Sequence, residues 1–124
     1  MTEWMSACRL SDVLEGAGAC VLVDGRQIAV FRVGEAVYAI DNRDPAGDAN
    51  VLSRGIVCDL EGEAVVASPL YKHHYSLATG RCLEDPVESV NVHPVKVLDG
   101  RIWVSVAARM LRAADADPLV CSCM

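Results

Sequence analysis

The chain has 124 residues, of which 52% are hydrophobic and 23% are charged, a composition typical of one globular domain. Its formal net charge of −6 argues against nucleic acid as a partner, because nothing would neutralise the phosphates. The apolar runs are far shorter than a membrane span, and the N-terminus lacks the basic and apolar regions of a secretory signal. We therefore expect a soluble cytoplasmic protein.

The first elements along the chain are a short helix and a hairpin. Residues 11–15 begin with Ser and carry acidic side chains in the first turn, which predicts one short N-terminal helix. Asp24-Gly25 separates two β-rich runs, residues 20–23 and 26–33, and this arrangement favours a type I′ hairpin. Cys20 lies in the first run, where we expect it to be a small buried side chain.

The rest of the chain repeats the pattern of a turn followed by a β-rich run. Asp99-Gly100 precedes the clearest example, in which Ile102 and Val104 alternate with Arg101 and Trp103, as in a half-buried strand. Many short strands at near-regular spacing predict an all-β sandwich or barrel. The other predicted strands are residues 36–40, 64–67, 81–83 and 95–98.

Two segments without a clear strand or helix pattern are the most specific feature of the sequence. The first is the long stretch 41–55, which begins within the motif Tyr38-Ala-Ile-Asp-Asn-Arg-Asp-Pro45. The second is residues 68–75, which open the motif Ser68-Pro-Leu-Tyr-Lys-His-His-Tyr-Ser-Leu-Ala-Thr-Gly-Arg-Cys-Leu83. Together they resemble the two cluster-binding loops of a Rieske [2Fe–2S] domain, which read roughly YAIDNRCPHxG and CPxHxxxFxLxTGxxL. The resemblance implies a Rieske-like β-sandwich in which the cluster pins the two loops together at one end.

The ligands of such a cluster are missing from this chain. Each Rieske loop contributes one Cys and one His, but Asp44 and Ala46 occupy the first pair of positions, and Ser68 and Tyr71 the second. Alanine cannot ligate, and hydroxyl oxygens are hard donors, so we expect no cofactor and no metal here. We expect Asn42 and Asp44 to cap backbone N–H groups, and Tyr71 to fill the vacated volume and hydrogen bond through its hydroxyl.

No other metal or catalytic site is predicted. On a strand, His73 would be displaced by roughly 6–7 Å from the ligand position two residues earlier, which is too far for it to substitute. Cys58 and Cys82 do not have the close spacing of zinc ligands, and we interpret His93 as a strand-edge residue. Nucleophile and phosphate-loop motifs are absent, so we expect no independent catalytic site.

The residues flanking the loops make the resemblance more specific. The segments Ala49-Asn-Val-Leu-Ser-Arg-Gly-Ile-Val57 and Val66-Ala-Ser-Pro-Leu-Tyr-Lys72 resemble the small subunit of assimilatory NAD(P)H-dependent nitrite reductase. The resemblance covers a Rieske-like β domain at residues 4–106. It leaves a C-terminal tail, residues 107–124, for which we expect either a helix or disorder. It implies a non-catalytic partner of a large subunit that carries FAD, [4Fe–4S] and siroheme and reduces nitrite to ammonium by six electrons.

The same resemblance suggests a docking surface at the loop end of the domain. Its candidate residues are polar or basic, in an otherwise acidic chain: Asn50, Arg54, Lys72, His73 and His74. They can equally be interpreted as ordinary solvated loop residues. The alternative function is a Rieske-type ferredoxin that carries electrons to an oxygenase or another reductase. A third is a thiol-based redox module that uses Cys121 and Cys123.

Overall fold

The computed structural model describes residues 4–70 and 72–105, in which strands are the main regular elements. The strands are β1 (Trp4–Arg9), β2 (Ala17–Val23), β3 (Arg26–Val33), β4 (Ala36–Asp41), β5 (Arg43–Asp44), β6 (Ala49–Asn50), β7 (Ile56–Leu60), β8 (Glu63–Ala67), β9 (His74–Ser76), β10 (Val95–Leu98) and β11 (Arg101–Ser105). Short 3-10 helices occur at Leu10–Asp12, Leu52–Arg54 and Pro86–Glu88. In these described ranges no helix has the length and apolar character needed to cross a membrane.

The strands pair into three three-stranded sheets and one two-stranded ribbon. The sheets have the orders β1-β11-β10, β2-β3-β4 and β7-β8-β9, and the ribbon is β5-β6. Every pair of named strands is antiparallel. The all-β prediction is confirmed, and across the described ranges the sheets stay separate instead of closing into a barrel.

Strand β3 contributes to both hydrophobic cores, because successive side chains point to opposite faces. Ile28 and Val30 belong to one buried cluster, together with Ile102 of β11. Phe31 belongs to the other, which also holds Tyr75 of β9. Fully burying a side chain of this size contributes about 1.5–3 kcal/mol relative to leaving it exposed. The two cores therefore join the middle sheet to the other two and fix the strand ends from which the loops emerge.

Two predicted hairpin turns are confirmed by their backbone angles. Asp24 and Gly25 have φ values of 53° and 78°, and Asp99 and Gly100 have values of 55° and 76°. Left-handed conformations at both central residues are the requirement of a type I′ turn, which Asp-Gly meets at low cost.

The predictions for residues 11–15 and 81–83 were wrong in detail. The N-terminal helix is a 3-10 turn at Leu10–Asp12, and the Asp12 carboxylate accepts a hydrogen bond from the Arg9 backbone N–H at 3.0 Å. The helix therefore begins earlier, and Asp12 rather than the predicted Ser caps it. Residues 81–83 contribute a single bridge from Cys82 to β9 instead of a strand, because the turn before them is held by its own hydrogen bonds.

Cys20 is exposed, contrary to the expectation of burial. Strand β2 is the edge of its sheet, and its side chains alternate between two faces. Val21 and Val23 point toward the first core, which leaves Cys20 and Leu22 on the opposite face. An apolar run on an edge strand is therefore only half buried.

Candidate functional site

The first loop follows β4 and is folded around the side chain of Asn42. The Oδ1 atom of this buried residue accepts a hydrogen bond from the Ser53 N–H at 2.7 Å, and its Nδ2 donates to the Asn50 carbonyl at 3.1 Å. The backbone adds a bond from the Leu52 N–H to the Asn42 carbonyl at 3.0 Å. The expected capping by Asn42 is confirmed, and one amide side chain closes a loop of about ten residues.

Asp44 lies at the centre of the site and is fully buried. Within its own loop, Oδ1 accepts hydrogen bonds from the backbone N–H groups of Ala46 at 2.9 Å and Gly47 at 3.4 Å. Its carboxylate also reaches across to the second loop, where Oδ2 accepts a hydrogen bond from the Ser68 hydroxyl. The expected local capping is confirmed, and the structure brings together the two residues that stand at the Rieske cysteine positions.

The second loop is a tight turn built on Ser68, which is 1% exposed. Its carbonyl accepts a hydrogen bond from the Lys72 N–H at 3.0 Å, and its own N–H donates to the His73 carbonyl at 2.9 Å. The Leu70 N–H donates to the Ser68 hydroxyl oxygen at 3.2 Å. These bonds fix the hydroxyl so that its proton points at the carboxylate of Asp44.

Tyr75 is the functional residue that the sequence analysis missed. Its ring is fully buried in the second core, and its hydroxyl donates to Oδ1 of Asp44 at 3.1 Å. Burial, reinforced by the negative charge of Asp44, raises the pKa of this hydroxyl far above its usual value, so it remains a proton donor. The second-loop pattern carries Phe at this position. The only indication in the sequence that residue 75 has a further role was therefore the hydroxyl that distinguishes Tyr from Phe. Tyr71, which was expected to supply the hydrogen bond, lies outside the described residues.

The described donors at this site do not fit a [2Fe–2S] cluster. Such a cluster needs thiolate and imidazole ligands, whereas the described positions hold a carboxylate, a methyl group and a hydroxyl at Asp44, Ala46 and Ser68. The carboxylate and the hydroxyl are hydrogen bonded to each other. Elsewhere in residues 4–70 and 72–105, no group of three or more His, Cys, Asp or Glu side chains is arranged to hold a metal ion.

The five docking candidates differ in how far their side chains are available. Arg54 and Lys72 are exposed, one on each loop, and Asn50 is half-buried against the first loop. His74 is bound by Glu84, which accepts from its backbone N–H at 2.7 Å and lies 2.6 Å from its Nδ1. His73 Nδ1 lies 3.7 Å from a Glu88 carboxylate oxygen. The structure therefore directs both histidines toward acidic residues of the chain itself.

The contact with His74 changes the pKa of the Glu84 carboxyl group. Burial alone raises its pKa, but the hydrogen bonds and charge of His74 outweigh this effect and lower it overall.

Cys121 and Cys123 of the proposed thiol module lie outside the described residues.

Comparison with known protein families identifies the kind of domain that this chain forms. Residues 3–105 match the family model of the Rieske-like [2Fe-2S] domain. That range takes in all eleven strands and both loops described above. The chain therefore belongs to the Rieske-like domain family.

Two similar proteins show to which branch of the Rieske-like family this chain belongs. The chain is 43% identical over 102 residues to the NADH nitrite reductase small subunit of Salmonella typhimurium, covering 81% of this chain and 94% of that protein. It also superimposes on the solution structure of the nitrite reductase [NAD(P)H] small subunit from Erwinia carotovora with a TM-score of 0.72 and 47% identity, covering 84% and 82% of the two chains. Within the Rieske-like family, it belongs with the nitrite reductase small subunits.

A third relative contains the same domain in a longer chain. The nitrite reductase [NAD(P)H] large subunit of Klebsiella oxytoca is 43% identical over 110 residues, which make up 89% of this chain and only 12% of that protein. A segment similar to this chain is thus covalently part of that large subunit.

Proposed function

We propose that this chain is the non-catalytic small subunit of a cytoplasmic NAD(P)H-dependent nitrite reductase that serves nitrate assimilation. It supports a large subunit whose FAD, [4Fe–4S] and siroheme supply the chemistry that reduces nitrite to ammonium by six electrons. The observation that carries the proposal is the 43% identity to a NADH nitrite reductase small subunit over 94% of that protein's length. The side chains of Asp44, Ala46 and Ser68 agree with it, because they do not provide the thiolate and imidazole ligands of an electron-carrying cluster.

The non-catalytic role is supported by how the polar groups of the site are used. The Asp44 carboxylate accepts hydrogen bonds from two backbone N–H groups and two hydroxyls, all of them within the chain. The Ser68 hydroxyl donates to that carboxylate and accepts from the Leu70 N–H, and no histidine imidazole appears among its hydrogen-bond partners in the described structure, so no general base of that kind activates it as a nucleophile. The site is built to hold its own loops rather than to bind a substrate.

Association with the large subunit is supported by the Klebsiella oxytoca protein, in which a similar domain lies in the same chain as the rest of the large subunit. We place the docking surface at the loop end, at Arg54 and Lys72 first, because both are exposed cations on an acidic protein. Asn50, His73 and His74 border this surface. Exposed charges of this kind mainly steer association and set its salt dependence.

Co-expression with the large subunit from the same genome tests the function directly. Nitrite-dependent NAD(P)H oxidation and ammonium formation are measured with both subunits and with the large subunit alone. We expect the activity, or the lifetime of the active enzyme, to fall several-fold when this chain is omitted. Equal rates and equal lifetimes with and without it would contradict the proposal.

Charge reversal tests the docking surface separately. We expect Arg54→Glu with Lys72→Glu to weaken binding to the large subunit at least about tenfold at low salt, because two attractive contacts become repulsive. The matched control reverses Arg9 and Lys96, an exposed Arg and Lys of the β1-β11-β10 sheet. Equal loss of affinity in both double variants, at equal thermal stability, would remove the assignment of this surface.

The ferredoxin alternative is distinguished by the purified protein itself. A Rieske-type electron carrier contains two irons per chain and absorbs visible light, which requires the cysteine and histidine ligands. We expect a colourless protein with no stoichiometric iron after aerobic or anaerobic purification. A reddish-brown sample with two irons per chain would favour the ferredoxin.

A further inference from the structure

The two loops are joined by one buried group of hydrogen-bonded side chains: Asp44 of the first loop, Ser68 of the second loop and Tyr75 of β9. We propose that this group, the loop latch, performs without metal the structural task that the cluster performs in ligand-bearing Rieske domains. The latch holds the loop end of the domain in one conformation. This inference does not depend on the proposed function, since it concerns only what closes the loops.

The contacts of the latch connect parts of the chain that are far apart in sequence. The Ser68 hydroxyl donates to Asp44 across 24 residues, and the Tyr75 hydroxyl does so across 31 residues. Both bonds converge on a single carboxylate, so the three residues act as one unit. The first loop is thereby tied to the second loop and to the second core, as a metal ion would tie them.

Because Asp44 is buried, these hydrogen bonds contribute to the stability of the fold. A buried carboxylate is costly unless its oxygens are fully hydrogen bonded, and each oxygen of Asp44 receives at least one donor. No Lys or Arg side chain appears among its hydrogen-bond partners in the described structure, so backbone and hydroxyl dipoles carry the stabilisation. Removing the Ser68 hydroxyl leaves Oδ2 without its donor, and removing the Tyr75 hydroxyl leaves Oδ1 with two backbone donors only, in a site that water cannot easily enter.

The positions involved explain why this group substitutes for a cluster. In the Rieske pattern, positions 44 and 68 carry the two cysteines that hold one iron, and here their side chains touch directly. The latch contains no metal-binding thiolate or imidazole. Loop closure therefore depends on neither iron supply nor redox state.

Two conservative substitutions in the full chain test the latch. We expect Ser68→Ala and Tyr75→Phe each to raise the unfolding equilibrium constant about ten- to a hundred-fold in urea titrations. The matched controls are Ser53→Ala and Tyr38→Phe, which remove hydroxyls from half-buried side chains outside the latch, and we expect changes below about threefold. Tyr75→Phe keeps the packed ring, so it serves as the decisive variant if Ser68→Ala does not fold.

Hydrogen exchange locates the effect and tests independence from metal. We expect the amides of residues 46–50 and 70–74 to exchange at least tenfold faster in Ser68→Ala and Tyr75→Phe than in the controls. In the unmodified protein, an iron chelator or dithionite is expected to change neither the exchange nor the unfolding midpoint. The latch is overturned if both variants match their controls, or if removing iron from the unmodified protein opens the loops.

Discussion

Gly80 is a residue whose backbone angle and surroundings both exclude a side chain. Its φ is 79°, and a Cβ built there would lie far inside contact distance of the Val90 carbonyl oxygen. Gly62 has a similar φ of 88° but nothing within 4 Å of such a Cβ, so it isolates the cost of the angle.

We expect Gly62→Ala to reduce the free energy of unfolding by about 1–2 kcal/mol, the cost of left-handed backbone. We expect Gly80→Ala to cost about 1–3 kcal/mol more, because its methyl group also collides with fixed backbone. Urea titration of both variants measures the difference. Equal destabilisation would mean that the 78–90 region shifts without cost.

At individual positions the sequence indicates unusual residues but not the contacts that those residues make. The unusual residues at Asp44 and Ser68 were recognisable as substitutions in the loop pattern, but their mutual hydrogen bond was not. It depends on the exact approach of two loops 24 residues apart. Tyr75 differs from the expected Phe by one hydroxyl, whose value depends on a buried acceptor that no sequence pattern reveals.

Between elements, a partly buried network of charged and polar side chains ties the end of β4 to the segment before β10. The Asp41 carboxylate lies 2.7 Å from His93 Nε2 and 3.8 Å from the Arg26 guanidinium, and it accepts a hydrogen bond from Asn91 at 3.0 Å. Burial alone raises the pKa of Asp41, but His93, followed by Arg26 and Asn91, outweighs burial and holds it below the usual 3.8.

This lowered pKa predicts how stability depends on pH. Asp41 binds its proton more weakly in the folded state, so its contribution is complete above the unfolded pKa near 3.8 and is lost as pH falls through the folded value. We expect Asp41→Asn to be less stable than the unmodified protein at pH 6–7, with the difference shrinking below about pH 4. The control is Asp24→Asn, because Asp24 is an exposed turn residue and Asn tolerates the left-handed backbone at that position. A difference that stays constant from pH 7 to pH 3 would contradict this account.

Elements set by local chemistry were predictable, and those set by distant contacts were not. The Asp-Gly hairpins and the alternation of β11 follow from turn preferences and from a two-residue period. Cys20 was misjudged because its exposure depends on β2 being an edge strand. His93 is 4% exposed, and what places it there is Asp41, its partner 52 residues earlier in the chain.

At the scale of the whole molecule, three sheets hold a loop end whose scaffold has remained Rieske-like while its chemistry has changed. The contact between Asp44 and Ser68 places the two cysteine positions close enough for their side chains to share one iron. The second core beneath them is built from residues of several strands, including Phe31, Val66 and the ring of Tyr75, so its packing uses the Tyr75 ring and not the hydroxyls of the latch. The scaffold should therefore accept a cluster if the four ligands are restored.

We expect the variant Asp44→Cys, Ala46→His, Ser68→Cys, Tyr71→His to bind two irons per chain after anaerobic reconstitution with iron and sulfide. Two thiolates on one iron and two imidazoles on the other should give the visible absorption and electron paramagnetic resonance of a Rieske centre. The matched control keeps Ala46 and carries only the other three changes, which removes one imidazole and should prevent that spectrum. If the fourfold variant folds but remains colourless, the loops have diverged too far for cluster geometry, and the family likeness would extend to the sheets but not to the loop end.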